Sequence, residues 1–300
     1  MARRFVITRL PAAALALLFA CTPPPDESPL LVMSFNIRYG TAQDGDDSWP
    51  LRAAFVAAVI DSVAPDVLGV QEALRFQLDE LHAAIPGYGE VGVGRDDGRE
   101  AGEYAALLYR QERLRLLDSG TFWLSDTPAV PGSMSWGNRV TRICTWARFE
   151  DARSGRPFGV YNLHLDHESQ ESRERSVRLL AERLAARAWP EPFIVLGDFN
   201  AGEDNPVRRF LTGSPDAAEA TPPPPSPQLT DTFRALHPAA SADGTFNGFR
   251  GDSTGPRIDA ILVSDQWVVR RADILRTSRD GRYPSDHFPI TALLNLTPDH

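Results

Sequence analysis

Residues 193–200 read FIVLGDFN, an apolar run of the length of a buried strand that ends in Asp198 and Asn200. A short run of large apolar residues bounded by polar ones predicts a strand with both faces covered. The end of such a strand is a place where a rigid scaffold can present polar side chains to a cleft. The stretch therefore predicts a sheet that carries candidate ligands at one edge.

Polar residues of the same kinds stand at the ends of other apolar segments. These are Asn36 closing LLVMSFN, Glu72 after DVLGVQ, His164 in VYNLHLDH, Asp259 beginning IDAILVS, and Asp286 with His287 opening HFPITALL. Taken singly, a carboxylate after a strand is more often a turn or cap residue, and a lone histidine is more often structural. Their recurrence favours one shared site. Oxygen ligands and histidine without cysteine suit Mg²⁺, Mn²⁺ or Ca²⁺ better than a thiolate zinc site.

The segments between these positions alternate strand and helix patterns. Apolar spacing predicts helices over 49–62, 74–85 and 169–188, and strands over AALLYR, GTFWLS, TRICTWARFE, PFGVYNLHL and WVVRRADILR. Residues 212–228, with the run Pro222–Pro225, have loop composition. Many strands with a few long helices predict a layered α/β sandwich, and no linker divides residues 30–300 into two domains.

Composition limits the kinds of partner. The 300 residues carry a formal charge of −9 and are 42% hydrophobic, which is ordinary for a soluble globular protein. An acidic surface repels long polyanions unless a basic patch or bound cations compensate. The chain's two cysteines, Cys21 and Cys144, cannot build a disulfide framework.

The N-terminus predicts export. Arginines precede a short apolar run, and Leu18-Phe19-Ala20-Cys21 resembles a bacterial lipobox, in which the cysteine is lipidated. We expect residues 1–21 to be a signal peptide, Cys21 to anchor the chain to a membrane, and the Pro-rich residues 22–29 to be a tether. An ordinary secretory signal that is cleaved nearby is the alternative.

The chain from Leu30 onward resembles the endonuclease/exonuclease/phosphatase superfamily. The matching stretches are SFNIRYG at 34–40, VQE at 70–72, YNLHLDH at 161–167, GDFN at 197–200, RIDAI at 257–261 and SDHFP at 285–289, in the family's order. The resemblance implies a four-layer α/β sandwich over residues 30–298, in which helices flank two facing mixed sheets. It also implies a hydrolase of phosphate esters that uses Mg²⁺ or Mn²⁺ and metal-activated water.

The resemblance further implies roles for single residues. Metal ligands would be Asn36, Glu72 and Asp286; catalytic residues would be His164, Asp198, Asn200, Asp259, His287 and Glu103. Asp198 would orient or deprotonate the attacking water, and His287 would contact the scissile phosphate. Two His–carboxylate pairs would form, Asp259 with His287 and Glu103 with His164, because a carboxylate selects the tautomer and favours imidazolium.

Some assignments stay open in the sequence. Arg38 stands where some apurinic endonucleases carry an acid, and would bind phosphate or cap the adjacent turn. Arg142 would read a substrate phosphate or sugar, or lie on the surface beside a strand. The expected partner is a small phosphate ester or a lipid head group. An extracellular nuclease on DNA or RNA is the alternative, and a binding lipoprotein on the same fold is the alternative without catalysis. The oligomeric state is not indicated.

Overall fold

Two parallel strand pairs, one in each of two sheets, organise the molecule. The computed structural model describes residues 29–213 and 227–297. The strands are β1 Leu30–Asn36, β2 Val67–Ala73, β3 Tyr88–Val91, β4 Tyr104–Arg110, β5 Leu114–Trp123, β6 Ile143–Asp151, β7 Pro157–His164, β8 Phe193–Asp198, β9 Thr230–Asp231, β10 Asp259–Val263, β11 Trp267–Ile274 and β12 Ile290–Leu296. The helices are α1 Trp49–Val63, α2 Arg75–Ala84, α3 Gln170–Ala185, α4 Pro206–Thr212 and α5 Thr232–Leu236, with a 3-10 turn at Gly45–Asp47.

Each sheet has six strands and the same plan. The first sheet has the order β11-β12-β1-β2-β4-β3, and the second has the order β5-β6-β7-β8-β10-β9. In each, one central pair is parallel, β1 with β2 and β7 with β8, while the flanking strands run antiparallel. The carboxyl ends of the parallel strands and the amino ends of their antiparallel neighbours therefore lie at one edge of each sheet.

Three apolar clusters separate four layers. One cluster lies between the sheets and includes Phe149 and Phe158. A second packs α1 and α2 on the first sheet around Phe35, and a third packs α3 and α4 on the second sheet around Phe199. The expected four-layer α/β sandwich with two facing mixed sheets is confirmed.

A buried polar side chain also joins the two sheets. Asn162 of β7 is fully buried and donates from Nδ2 to the carbonyls of Val70 (3.1 Å) and Ala106 (2.7 Å), which belong to the first sheet. Its Oδ1 accepts from Gln71 Nε2 at 2.7 Å. The sheets come close enough here that a Cβ on Gly69 would lie 2.0 Å from Leu196 Cδ1. This contact fixes the two sheets relative to one another close to the ends of β2 and β7.

Several sequence expectations need adjustment. The third helix ends at Ala185, not at 188, and its N-cap Ser169 accepts from Ser172 N. β5 begins at Leu114, well before GTFWLS. Asp286 and His287 do not open a strand, since β12 starts at Ile290 after Pro289. The short elements β3, β9, α4 and α5 lack the length that makes a periodic pattern visible.

Two predictions concern segments beyond this description. Cys21, with the predicted signal peptide and nearly all of the tether, lies outside the described residues, as does most of the 212–228 loop. No helix among residues 29–213 and 227–297 has the length and apolar character needed to cross a bilayer.

Candidate active site

The strand ends of both sheets meet at one place. His164 ends β7 and is paired in register with Asp198, which ends the parallel β8. Asp259 begins the antiparallel β10 and is the register partner of Asp198 on the other side. Asn36 reaches across from β1, and its Nδ2 donates to Asp198 Oδ2 at 3.1 Å. Segments far apart in the chain thus form one buried cluster.

Glu72 is aimed into this cluster by an irregularity of its strand. The β2–β4 register shifts between Gln71 and Ala73, and Glu72 adopts a φ of 62°. A bulge of this kind redirects a side chain. Glu72 Oε1 accepts from Asn36 Nδ2 at 3.0 Å and Oε2 accepts from the Tyr39 N–H at 3.1 Å, so both carboxylate oxygens are oriented.

Asp286 approaches from a loop that is tied to β1. The Ser285 hydroxyl donates to the Asn36 carbonyl at 2.7 Å, and the Asp286 carbonyl accepts from the N–H groups of Asn247 (2.6 Å) and Gly248 (3.0 Å). Burial raises the pKa of Asp286, and repulsion from Glu72 adds to that effect, although nearby cations oppose it. Two carboxylates that repel one another in a buried place form a site that a cation would stabilise.

Asn36, Glu72 and Asp286 fit a hard divalent cation. Their carboxylate and amide oxygens are the donors that Mg²⁺ and Mn²⁺ prefer. A second candidate group, Asp198, Asp259 and His287, offers ligand atoms within 4.8 Å of one another. Its imidazole, however, is already hydrogen-bonded to Asp259, and a protonated ring has no lone pair for a metal. The first set is the better fit.

His287 and Asp259 form the expected pair. His287 Nδ1 donates to Asp259 Oδ2 at 2.9 Å, and both side chains are almost fully buried. Burial alone would lower the pKa of His287, but Asp259, followed by Asp198 and Asp286, raises it well above the usual value. The ring is therefore an imidazolium at neutral pH, with Nε2 lying 3.8 Å from Asp198 Oδ2.

The expected pair of Glu103 with His164 is wrong. Both oxygens of Glu103 accept from the guanidinium of Arg95, at 2.7 and 2.8 Å. A planar guanidinium that is always charged matches a carboxylate in two parallel hydrogen bonds, so it outcompetes an imidazole for the same acid. His164 Nδ1 is left buried without a hydrogen-bond partner among the described residues.

His164 consequently differs from His287 in charge. Burial, followed by repulsion from Arg142 and Arg95, lowers the pKa of His164 well below its usual value. Its Nε2 lies 3.4 Å from Asp198 Oδ2. The two histidines beside Asp198 are therefore one neutral imidazole and one imidazolium.

Asp198 lies at the centre of the cluster and is held by its local backbone. Gly197 has a φ of 140°, and a Cβ there would lie 2.0 Å from the Leu163 carbonyl oxygen, so the strand end requires glycine. Asp198 Oδ1 accepts from the Asn200 N–H at 2.9 Å, and Asn200 Nδ2 donates to the Leu165 carbonyl at 3.0 Å. Burial raises the pKa of Asp198, and the neighbouring Asp259 adds to that rise. A carboxylate with a raised pKa is suited to accept a proton.

The two candidate substrate arginines are placed differently. Arg38 binds Asp44 through Nε (3.0 Å) and Nη2 (2.9 Å), and its Nε lies 3.8 Å from Asp286 Oδ2, so it borders the candidate metal set. Arg142 is no surface residue. Its guanidinium is buried beside His164, contacts His167 Nδ1 at 2.8 Å, and keeps Nε and Nη1 without hydrogen-bond partners among the described residues.

Sequence reasoning missed two residues that shape this site. Arg95 holds Glu103, and the buried Thr245 accepts the Asp259 N–H on its hydroxyl at 3.1 Å. Each lies in a loop with no periodic pattern. Asn162, by contrast, does leave a signal in the sequence. It is a polar residue within an apolar strand, two positions before His164.

Comparison with known proteins places the chain in a family. The model of the Endonuclease/Exonuclease/phosphatase family matches residues 33–287. An endonuclease/exonuclease/phosphatase structure from Bacteroides vulgatus is 34% identical, with a TM-score of 0.80 over 89% of this chain and 99% of that one. A mannosyl-6-phosphatase from Bacteroides thetaiotaomicron is also 34% identical, with a TM-score of 0.76 over 88% of this chain and 99% of that one.

More distant proteins share the fold or part of the sequence. The catalytic domain of human Nocturnin, solved with a bound sulfate anion, is 21% identical, with a TM-score of 0.67 over 90% of this chain and 96% of that one. An uncharacterised protein of Acanthamoeba polyphaga mimivirus is 28% identical in an alignment of 163 residues that covers 52% of this chain. The match spans 60% of the length of that viral relative.

Proposed function

Because this chain belongs to the endonuclease/exonuclease/phosphatase family and is a hydrolase of phosphate esters, we propose that it is a divalent-metal-dependent phosphatase of sugar phosphates. The observation that carries the proposal is the convergence on Asp198. Within 4 Å of its Oδ2 lie Asn36 Nδ2 (3.1 Å), His164 Nε2 (3.4 Å) and His287 Nε2 (3.8 Å). A buried acid beside a neutral and a charged imidazole suits activation of water and neutralisation of a phosphate together.

The substrate class is argued from charge and from likeness. A net charge of −9 disfavours the binding of a long polyanion, which would lie along the acidic surface. The charge of a small monoester lies only within the site itself. The similarity to a mannosyl-6-phosphatase, at 34% identity over nearly its whole length, points to a phosphorylated sugar. The nuclease alternative draws no support from the DNA-bound TDP2 structure of D. rerio, because at 17% identity that likeness concerns the fold alone.

Asn36, Glu72 and Asp286 would hold Mg²⁺ or Mn²⁺. The bound ion would neutralise charge on the phosphate and on the departing oxygen, which is the contribution that metal ions make in phosphoryl transfer. Its ligands are kept in place by the contacts of Glu72 with Asn36 and Tyr39 and by the loop that carries Asp286.

The chain's own residues would move the proton and bind the phosphate. Asp198 orients a water molecule and accepts its proton as the water oxygen bonds to phosphorus and the ester P–O bond breaks. The departing sugar oxygen takes a proton from solvent and leaves as the alcohol. His287 donates from Nε2 to a non-bridging oxygen, while Asp259 keeps it protonated and oriented through Nδ1. His164, which is neutral, donates a hydrogen bond to the phosphate without adding a positive charge to the site. Asn200 contacts the phosphate from the β8 end.

Location is also part of the proposal. The N-terminal pattern would carry the enzyme out of the cytoplasm, with Cys21 as the lipidated residue and a membrane anchor. Phosphorylated sugars arriving from outside the cell would then be the available substrates. Palmitate labelling of the wild type and of Cys21→Ser tests this point, because the label should be absent from the variant.

The direct test is phosphate release from a panel of substrates by the purified protein. The panel holds mannose 6-phosphate, glucose 6-phosphate, bis-p-nitrophenyl phosphate and plasmid DNA, each with Mg²⁺, with Mn²⁺ and with a chelator. We expect metal-dependent release from the hexose phosphates, lost in His287→Ala and retained in Asp265→Asn, which changes an exposed acid in the β10–β11 turn. Preference for DNA would establish the nuclease, and metal binding without turnover of any member would favour the binding lipoprotein.

A further inference from the structure

The chain enters the sandwich at the end opposite to the active site. Leu30 begins β1, whereas Asn36, which ends it, reaches into the active site. A strand rises about 3.3 Å per residue, so about 20 Å separate the two ends of β1. Val67, Pro157 and Phe193 begin β2, β7 and β8 at the same end as Leu30. We call this end of the sandwich the base.

Buried charges fix the entry point at the base. The guanidinium of Arg113, which is 5% exposed, donates to the Pro29 carbonyl at 3.0 Å and to Asp66 Oδ2 at 3.1 Å. It also donates to Asp151 Oδ2 at 3.2 Å, which ties the first sheet to the second. Asp66 Oδ2 accepts from the Leu31 N–H at 2.8 Å as well. An anchor upstream of Pro29 would therefore hold the molecule by its base.

The length of chain between the predicted anchor and the base limits how the molecule can turn. Pro29 stands eight residues after Cys21, and a fully extended chain of that length spans at most about 28 Å. To bring the active site to the bilayer that holds Cys21, the chain would have to pass around the sandwich. That path crosses a helix layer about 10 Å thick and then runs along the height of β1, about 20 Å. The loops around the site lie beyond the strand ends, so the path is longer than the chain can span.

Charge also distinguishes the two ends of the sandwich. The loops at the base are residues 64–66, 85–87, 111–113, 152–156, 186–192 and 264–266, in which four arginines balance four acids. The described loops at the other end are residues 37–48, 92–103, 124–142, 165–169, 199–205, 237–258 and 275–289, in which sixteen acids outnumber ten arginines. A surface of anionic lipids repels an acidic surface. The base can therefore approach such a bilayer with less repulsion than the end that carries the active site.

We propose that the base of the sandwich faces the membrane that anchors the chain and that the active site opens away from it. The enzyme then hydrolyses soluble phosphate esters and leaves the head groups of that membrane untouched. This inference rests on the proposed lipidation of Cys21. It deepens the proposed function because it separates the two substrate classes that the sequence left open, a small phosphate ester and a lipid head group. A soluble monoester diffuses to a site that points away from the bilayer, whereas a head group stays in the plane of the bilayer.

The test places reporters at both ends of the full-length, lipidated protein. Ala152→Cys puts a thiol in the β6–β7 turn at the base, and Ala129→Cys puts one in the β5–β6 loop at the other end. Both alanines are exposed, and the native Cys144 is buried, so that only the new thiol is labelled. Each variant carries a fluorescent donor and is reconstituted in vesicles of phosphatidylethanolamine and phosphatidylglycerol that contain an acceptor-labelled lipid.

We expect energy transfer to be several-fold higher from position 152 than from position 129, because transfer to acceptors in a plane falls steeply with distance. Insertion of about thirty Gly and Ser residues after Pro25 should remove most of this difference, since a flexible chain of that length can pass around the sandwich. The vesicle-bound enzyme should release phosphate from mannose 6-phosphate as fast as Cys21→Ser does in solution. It should release none from phosphatidic acid in the same vesicles.

Several results would overturn the proposed orientation. Equal transfer from the two positions, or higher transfer from position 129, would contradict it, and so would phosphate release from phosphatidic acid in the vesicles. If the wild type binds vesicles no better than Cys21→Ser, the chain has no lipid anchor and the orientation has no basis. If the bound enzyme releases no phosphate from mannose 6-phosphate, the proposed sugar phosphatase is refuted, while energy transfer still decides the orientation.

Discussion

Replacement of Asp259 by Asn tests whether His287 works as an imidazolium. The substitution keeps the shape of the side chain and removes its charge. In the native protein the two groups share a hydrogen bond of 2.9 Å, with both side chains at most 6% exposed. Hydrogen bonds to charged groups contribute roughly 1.5–3 kcal/mol, which corresponds to a factor of about 10–150 in kcat/KM near neutral pH.

The pH dependence gives the sharper reading. Burial lowers the pKa of His287, and Asp259, together with Asp198 and Asp286, more than offsets this, so the ring stays protonated until the pH rises through a raised value. Without the Asp259 charge the largest of these opposing contributions is lost and the pKa falls. The protonated form is then lost at lower pH, so the basic limb of the kcat/KM profile should move to lower pH. The deficit of Asp259→Asn relative to the wild type should therefore shrink as the pH is lowered.

The assay is phosphate release from mannose 6-phosphate across the pH range at saturating Mg²⁺, with Asp265→Asn as the exposed control. A constant deficit at every pH would refute the reasoning, because it would show that Asp259 acts by position rather than by charge. A large increase in the Mg²⁺ concentration that Asp259→Asn needs for activity would contradict the proposed role of Asp259 in another way. It would place the metal at Asp198, Asp259 and His287, the group that we consider the poorer fit.

Other substitutions test the metal set and the scaffold. Glu72→Gln should raise the Mg²⁺ concentration for half-maximal activity on the order of tenfold to a hundredfold in a metal titration, whereas Asp265→Asn should not change it. Gly197→Ala should lower the free energy of unfolding in urea by about 2–4 kcal/mol, because its Cβ would lie 2.0 Å from the Leu163 carbonyl; a loss below about 0.5 kcal/mol would contradict this. Asn162→Leu should cost about 2–4 kcal/mol in the same assay, since it leaves buried groups of the first sheet unpaired, and an unchanged midpoint would contradict the role of that link between the sheets.

The layered fold could be predicted because its long elements carry clear patterns. FIVLGD forms β8 as expected, and Asp259 is the first residue of β10. The short elements were missed because a five-residue helix such as α5 contains too few turns for a periodic signal. The order of the strands in each sheet was not predicted, since hydrogen-bond pairing between distant segments leaves no local trace in a sequence.

The convergence of the strand-end residues on one place could be predicted, but their contacts could be predicted only in part. The Asp259–His287 pair is present, whereas Glu103 is bound by Arg95 instead of His164. Which positively charged side chain pairs with a carboxylate depends on the conformation of the loops around it. Arg95 lies in such a loop, between β3 and β4. The resemblance implied the pair from its acid and its base alone, without the arginine that binds the acid.

Chelation of the wild-type protein followed by return of the metal tests the proposed chemistry most directly. Phosphate release from mannose 6-phosphate is measured before chelation, after it, and after addition of Mg²⁺ or Mn²⁺, with Glu72→Gln in parallel. We expect activity to disappear on chelation and to return with the metal in the wild type, and to return in Glu72→Gln only at much higher metal concentration. Full activity in the presence of the chelator would contradict a metal-dependent mechanism at Asn36, Glu72 and Asp286.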